Sequence, residues 1–360
     1  VRVHGSSGQF RSVEEPIYLG NSGTSMRLLT GMLAGKRISA SLSGDASLNR
    51  RPMRRVVDPL LKMGADIDTT EQGTPPVVIK PVKTLQGVRT ELEMASAQLK
   101  SALLLAGLDA QGETVIVEPA LSRDHSERML HHFGCRVKRD GLAISIDGGS
   151  RLEATSIEVP GDISSATFLI VAATIVANSD IVVKRVGLND TRIGALHILK
   201  RMGADIEILD KRIIGNEPIG DLRVRAAALK GIEIPTDWVP SAIDEFPALF
   251  IASACAEGTT YLRGAKELRV KESDRIAAMA EGLRTCGIAV EVYDDGMAIE
   301  GGQLQGGVVE SHHDHRVAMA FAVAGATASK AISIRHCRNI ETSFPNFVET
   351  AKAIGIELSS

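Results

Sequence analysis

Met63-Gly64-Ala65-Asp66-Ile67 returns, almost letter for letter, as Met202-Gly203-Ala204-Asp205-Ile206. In both places an amphipathic helical pattern runs into a glycine and then into a strand-like alternation, so the two stretches read as equivalent points of a duplicated unit. Working outward, the same plan is found five times. A helix of small residues leads to a Gly- or Ser-marked turn, a β-branched strand, a polar loop, a second amphipathic helix, and a glycine followed by a further strand.

The first copy covers residues 26–68 and the second residues 101–138, with strand Thr114-Val115-Ile116-Val117 and exit Gly134-Cys135-Arg136-Val137. The third, residues 166–208, has strand Ile181-Val182-Val183; the fourth, 247–292, exits at Gly287-Ile288-Ala289-Val290; the fifth, 317–358, exits at Gly355-Ile356-Glu357-Leu358. The unit is βαβαββ-like, which makes the chain an α/β protein. Two copies precede the hinge-like Glu158-Val159-Pro160-Gly161-Asp162 and three follow it, predicting domains at residues 1–159 and 160–360. Two against three is lopsided, and Val1-Arg2-Val3-His4-Gly5 reads as the middle of a strand, so a sixth copy is expected ahead of Val1.

The 360 residues suffice for two cores. Hydrophobic residues make up 44% and aromatic residues only 3%, so those cores must be built from Ala, Val, Ile, Leu and Met, and an aromatic nucleic-acid platform is excluded. A formal net charge of -3 argues against general polyanion binding and restricts phosphate recognition to local sites on a small ligand. Cys135, Cys255, Cys286 and Cys337 show no metal-ligand spacing and read as reduced core thiols. The longest apolar run, residues 168–177, is too short to span a bilayer and no signal peptide is visible, which predicts a soluble cytoplasmic protein without membrane or nucleic-acid partners.

The entrances to the first helix of each copy carry the chemistry. They read Asn21-Ser22-Gly23-Thr24-Ser25-Met26-Arg27, Ser96-Ala97-Gln98-Leu99-Lys100-Ser101, Gly161-Asp162-Ile163-Ser164-Ser165, Asp244-Glu245-Phe246-Pro247 and Asp314-His315-Arg316. All are capping sequences. Helix N-termini also present free N–H groups and the positive end of the macrodipole, each favouring an anion by about 0.3–1 kcal/mol. Quasi-symmetry that points several entrances to one place would make a phosphate-rich cleft between facing domains. Loops ahead of the second helices supply cations: Arg50-Arg51-Pro52-Met53-Arg54-Arg55, Ser122-Arg123-Asp124-His125, Asp190-Thr191-Arg192 and Lys271-Glu272-Ser273-Asp274-Arg275. Of these, Arg54 and Arg55 are expected to be surface residues.

These residues resemble the 5-enolpyruvylshikimate-3-phosphate synthase family of enolpyruvyl transferases. The match runs in order through LGNSGTSMRLL at 19–29, RRPM at 50–53, SAQLKSALLLAGL at 96–108, SRDHSERML at 122–130, GDISSA at 161–166, AIDEFP at 242–247, LRVKESDRI at 268–276, DHRVAMA at 314–320 and TSFPNF at 342–347. The resemblance implies a two-domain inside-out α/β barrel of βαβαββ repeats, five of six units present, acting as a monomer. It implies transfer of the enolpyruvyl group of phosphoenolpyruvate to the 5-hydroxyl of shikimate 3-phosphate, with no cofactor and no metal.

By the same resemblance Ser96, Gln98, Ser122, Asp244 and Lys271 bind shikimate 3-phosphate, and Gly23, Arg51, Gln98, Arg275 and Arg316 bind phosphoenolpyruvate. Asp244 and Glu272 are the catalytic pair. The segment expected ahead of Val1 normally carries a Lys-Ser pair and a later Arg, so this polypeptide by itself is expected to bind shikimate 3-phosphate poorly. His315 is assigned to ordering Arg316, and Asp162, Ser164 and Ser165 to a hinge or cap. Thr342-Ser343 stands where related sequences often carry a lysine, which removes a cation from the last loop. Two other readings fit parts of the pattern. One is the UDP-N-acetylglucosamine enolpyruvyl transferase, which needs a cysteine that residues 44–52 lack; the other is an inert repeat scaffold.

Overall fold

A glycine at φ 91° (Gly64) and another at φ 105° (Gly203) end the second helix of the first and third copies. Only a residue without a Cβ takes this backbone cheaply, which is why the repeated MGADI words turn helix into strand at the same place. The computed structural model describes residues 1–6 and 8–359. It divides into two compact units, Val1–Ile157 and Glu158–Ser360.

In the first unit, β1 (Ile17–Tyr18), α1 (Gly23–Ala34), β2 (Ala40–Ser43), α2 (Arg54–Lys62), β3 (Asp66–Asp68) and β4 (Val77–Lys80) form one copy. Its sheet runs β1-β2-β4-β3, with β1 parallel to β2 and the other pairs antiparallel. After the short β5 (Leu85–Gln86) comes a second copy: β6 (Arg89–Glu91), α3 (Ala97–Gly107), the short β7 (Ala110–Gln111), β8 (Glu113–Val117), α4 (His125–His132), β9 (Val137–Asp140) and β10 (Ala143–Asp147). Its order β6-β8-β10-β9, again parallel only at the first pair, repeats the first sheet strand for strand. Helices α1 and α3 pack together, and the approach is close: a Cβ on Gly31 would lie 2.1 Å from the Ala102 carbonyl oxygen.

The second unit repeats the plan. The third copy has α5 (Ile163–Ile175), β11 (Asp180–Gly187), α6 (Gly194–Met202), β12 (Asp205–Ile214) and β13 (Glu217–Arg225). The fourth has α7 (Val239–Ala242), α8 (Phe246–Ala254), β14 (Thr259–Leu262), α9 (Arg275–Thr285), β15 (Val290–Tyr293) and β16 (Gly296–Glu300). Their leading parallel strand is reduced to isolated bridges, Gly161 with Val186, and Lys230 with Glu257 and Glu233 with Tyr261. The fifth copy comprises β17 (Gly307–Glu310), α10 (His315–Gly325), β18 (Ile332–Arg335), α11 (Ile340–Ser343) and α12 (Phe347–Ala353), with β17 parallel to β18.

Helices α5, α8 and α10 pack on one another in the middle of this unit and are buried on nearly all sides. Helix inside and sheet outside is the inside-out arrangement; among the described residues no sheet closes into a barrel. Buried hydroxyls on these helices are satisfied by the carbonyl one turn back, Thr167 to Ile163, Thr174 to Ile170 and Ser253 to Leu249. Each unit has its own apolar core. No helix among the described residues is long and apolar enough to cross a membrane.

Three local expectations fail. Val1-Arg2-Val3-His4-Gly5 forms no strand, and Val1 and Val3 are exposed. Gly355-Ile356-Glu357-Leu358 does not form a strand either. Alternation marks which face a strand would bury but does not supply a neighbouring strand to pair with. Cys337 is exposed and Cys255 half-buried, so only Cys135 and Cys286 are core thiols; all four are free.

Candidate active site

In the first unit, Ser22 caps α1 by accepting the Ser25 N–H at 3.1 Å, and Ser96 caps α3 by accepting the Leu99 N–H at 3.3 Å. Gly23 opens α1, and a Cβ built there would stand 2.8 Å from Arg27 Nη1 and 3.1 Å from Arg51 Nη1. Two guanidinium groups therefore lie over one helix entrance, where the backbone N–H groups also favour an anion. Arg51 donates to Asn21 Oδ1 at 2.7 Å, and Asn21 donates to Asp45 Oδ2 at 2.8 Å. Gln98 ties the two entrances together, accepting from Arg27 Nη1 and donating to Thr24 Oγ1, both at 2.8 Å.

Gly23, Ser96 and Gln98 thus stand on two adjoining helix starts, and Arg51, in the loop ahead of α2, brings its guanidinium to the first of them. Arg27 joins them although the sequence reading passed over it; its signal was available, because Gly23 and Arg27 are one turn apart on the same face. Burial, reinforced by the charges of Arg51 and Arg55, pushes the Arg27 pKa down. Ser122 lies in the loop before α4 and donates its hydroxyl proton to Glu118, whose side chain is fully buried.

In the second unit, Arg269 anchors the residue 266–274 segment. It donates to the carbonyls of Asp294 and Tyr293 and to Asp274 Oδ2, each at 2.7 Å. Asp274 caps α9 by accepting the Ala277 N–H at 3.0 Å. This presents Lys271, Glu272 and Arg275 at the helix start. Arg275, buried to 1% exposure, donates Nε to Asp314 Oδ2 at 2.8 Å and Nη2 to Glu272 Oε2 at 2.6 Å. Its remaining Nη1 is buried, makes no hydrogen bond among the described residues, and stands 3.6 Å from Asp244 Oδ1.

Asp244 is surrounded by cations, with Lys271 Nζ 3.5 Å from Oδ1 and Arg192 Nη1 3.9 Å from Oδ2. Arg316 donates to the Asp244 backbone carbonyl at 2.9 Å, and its own N–H is capped by Asp314 Oδ1 at 2.9 Å. The fold therefore groups Asp244, Lys271, Glu272, Arg275 and Arg316. Burial would raise the Asp314 pKa, but the charge and hydrogen bonds of Arg275 outweigh it and hold the carboxyl below its ordinary value. Burial and the neighbouring Arg316 charge push His315 down from the usual histidine value.

The entrance at Asp244-Glu245-Phe246-Pro247 departs from the capping expectation. The residue preceding α8 is Glu245, and no side chain caps there. Glu245 is instead fully buried and accepts from the Ser164 hydroxyl, which also accepts from Arg192 Nη2 at 2.6 Å. Desolvation pushes the Glu245 pKa up. Ser164 is accordingly a member of a buried Ser164–Arg192–Glu245 network as well as part of the α5 cap, where Asp162 accepts from the Ser164 and Ser165 N–H groups at 3.2 and 3.0 Å. Arg54 and Arg55 are exposed, Arg54 holding the Glu71 carbonyl at 2.8 Å. Among the described residues no three His, Cys, Asp or Glu side chains are grouped to hold a metal ion.

A family model described as EPSP synthase (3-phosphoshikimate 1-carboxyvinyltransferase) matches residues 1–351. The protein named 3-phosphoshikimate 1-carboxyvinyltransferase of Nitrosococcus oceani is 57% identical over 359 residues, 99% of this chain and 81% of that protein. Its namesake in Methylococcus capsulatus is 55% identical over 359 residues, 99% of this chain and 82% of that one. The solved EPSP synthase from Acinetobacter baumannii superposes with a TM-score of 0.88 at 52% identity, covering 96% of this chain and 81% of that chain. With the family pattern matched from Val1 almost to the end of the chain and the same fold found in a solved relative, this chain belongs to the EPSP synthase family.

Proposed function

We propose that the protein catalyses enolpyruvyl transfer from phosphoenolpyruvate to the 5-hydroxyl of shikimate 3-phosphate, releasing 5-enolpyruvylshikimate 3-phosphate and phosphate, in the cytoplasm. The observation that carries this reading is the packing of two carboxylates, Asp244 and Glu272, against the one buried guanidinium of Arg275, at 3.6 and 2.6 Å. The reaction needs two such groups. Adding an alcohol to the enol phosphate of phosphoenolpyruvate requires a proton to leave oxygen and a proton to reach the methylene carbon, and expelling phosphate to leave the enol ether reverses the second transfer.

In this reading Asp244 takes the hydroxyl proton as the oxygen bonds to C2 of phosphoenolpyruvate, while Glu272 delivers a proton to C3. The resulting tetrahedral adduct loses phosphate when the C–O bond to it breaks and C3 gives its proton back. Arg275 and Arg316 in the second unit, and Gly23 with Arg51 in the first, bind phosphoenolpyruvate. Ser96, Gln98 and Ser122 in the first unit, and Lys271 with Asp244 in the second, bind shikimate 3-phosphate, and Gln98 serves both substrates. Pairs of guanidinium groups suit a carboxylate and a phosphate on one small molecule, because each can be gripped by two parallel N–H groups.

The test is steady-state turnover of the full-length protein with both substrates. Asp244→Ala and Glu272→Gln are each expected to lower kcat by about 10²–10⁴-fold, the usual contribution of a positioned acid or base, with the circular dichroism spectrum unchanged. Ordinary kcat in both variants would remove this mechanism.

A further inference from the structure

Lys100 lies two residues beyond Gln98 on α3 and is 0% exposed. Its ammonium has three protons, and three acceptors surround it: Glu127 Oε1 at 2.8 Å, Glu118 Oε2 at 3.1 Å and the Ser122 carbonyl at 3.5 Å. Glu118, 1% exposed and directly after β8, uses its other oxygen to accept the Ser122 hydroxyl proton. Arg139 closes the cluster, with Nη2 2.8 Å from Glu127 Oε1 and 3.7 Å from Glu118 Oε2. Two cations thus balance two carboxylates, with Lys100, Glu118 and Glu127 buried and Arg139 reaching them from a side chain that is 32% exposed.

A fully buried ion pair is seldom better for stability than apolar residues of the same volume. What sets this one apart is what it holds. One arm fixes the Ser122 hydroxyl rotor and another holds the Ser122 backbone. The Lys100 stem anchors both to α3, whose first turn carries Ser96 and Gln98. We infer that Lys100 and Glu118 are positioning residues for shikimate 3-phosphate, fixing Ser122 relative to Ser96 and Gln98 without touching the ligand. This rests on the reading of those three residues given above.

Two variants of the full-length protein test it, with shikimate 3-phosphate affinity measured by titration calorimetry and both KM values by turnover. Glu118→Gln keeps the shape and weakens the grip on Ser122. The paired change Lys100→Met with Glu118→Leu removes both charges together and leaves Glu127 with Arg139, which protects folding. Each is expected to weaken shikimate 3-phosphate binding about tenfold, the effect of losing a charge-assisted hydrogen bond, with the KM for phosphoenolpyruvate within about twofold. In a Ser122→Ala background, Glu118→Gln is expected to add nothing, because the bond it acts through is already gone. A folded Glu118→Gln protein that melts lower but binds with unchanged affinity overturns the inference, as does an undiminished effect in the Ser122→Ala background. A parent protein that does not bind shikimate 3-phosphate overturns the functional reading and this inference together. A parent that binds, with both variants binding equally well, overturns the inference alone.

Discussion

Arg275 touches Asp314, Glu272 and Asp244, and the structure keeps it almost wholly out of solvent. Its tie to Asp314 is therefore a buried ion pair whose rupture leaves a charge uncompensated, a loss of about 3–5 kcal/mol. Asp314→Asn is expected to show that loss in urea unfolding at neutral pH. The folded-state pKa of Asp314 is depressed, so its contribution is complete above the ordinary aspartate value of 3.8 and disappears as pH falls through the lower folded value. The stability gap between parent and Asp314→Asn should accordingly be constant above that value and narrow below it; a gap that widens on acidification would contradict the assignment. The charged members of this cluster stood in plain view in the sequence, because LRVKESDR and DHR are contiguous words. The Ser164–Arg192–Glu245 network did not. Its members lie 28 and 53 residues apart, and nothing local in any of them requires the others.

Among the elements, α1 and α3 meet where Gly31 faces the Ala102 carbonyl. Replacing a mid-helix glycine by alanine gains about 1 kcal/mol of helix propensity, yet here the new methyl would sit 2.1 Å from a backbone oxygen that cannot swing aside. The clash decides the sign. Gly31→Ala is expected to destabilise by about 1–3 kcal/mol, read as a lower urea midpoint with unchanged slope, and to disturb the Gln98 bridge between the same helices. Element order was legible because the second helix of every copy runs out at a glycine, Gly64, Gly134, Gly203, Gly287 and Gly355, and many of the strands carry β-branched residues. Pairing was less so: the leading parallel strands of the third and fourth copies are reduced to isolated bridges, and the residue 1–5 and 355–358 alternations form no strand among the described residues. Side-chain period identifies a face, whereas a strand exists only where another backbone offers its N–H and C=O groups.

For the whole molecule, each unit keeps its own apolar core. The second unit, residues 158–360, contains α5, α8 and α10 with the three copies around them, and its core draws on no residue of the first. Expressed alone, it is expected to unfold in urea in one cooperative step, as an independent domain does. A gradual transition with exposed hydrophobic surface would show that its packing depends on the rest of the chain.

Every residue of α8, Phe246–Ala254, is buried. An amide in such a helix can trade its proton for deuterium only when the packing around it opens, and here no smaller opening reaches it than loss of the unit's core. Residues 249–254 should therefore be the last to take up deuterium, at rates that track the global unfolding free energy of their unit. The helix that begins two residues after Asp244 becomes an internal gauge of stability, readable in the working enzyme without denaturant.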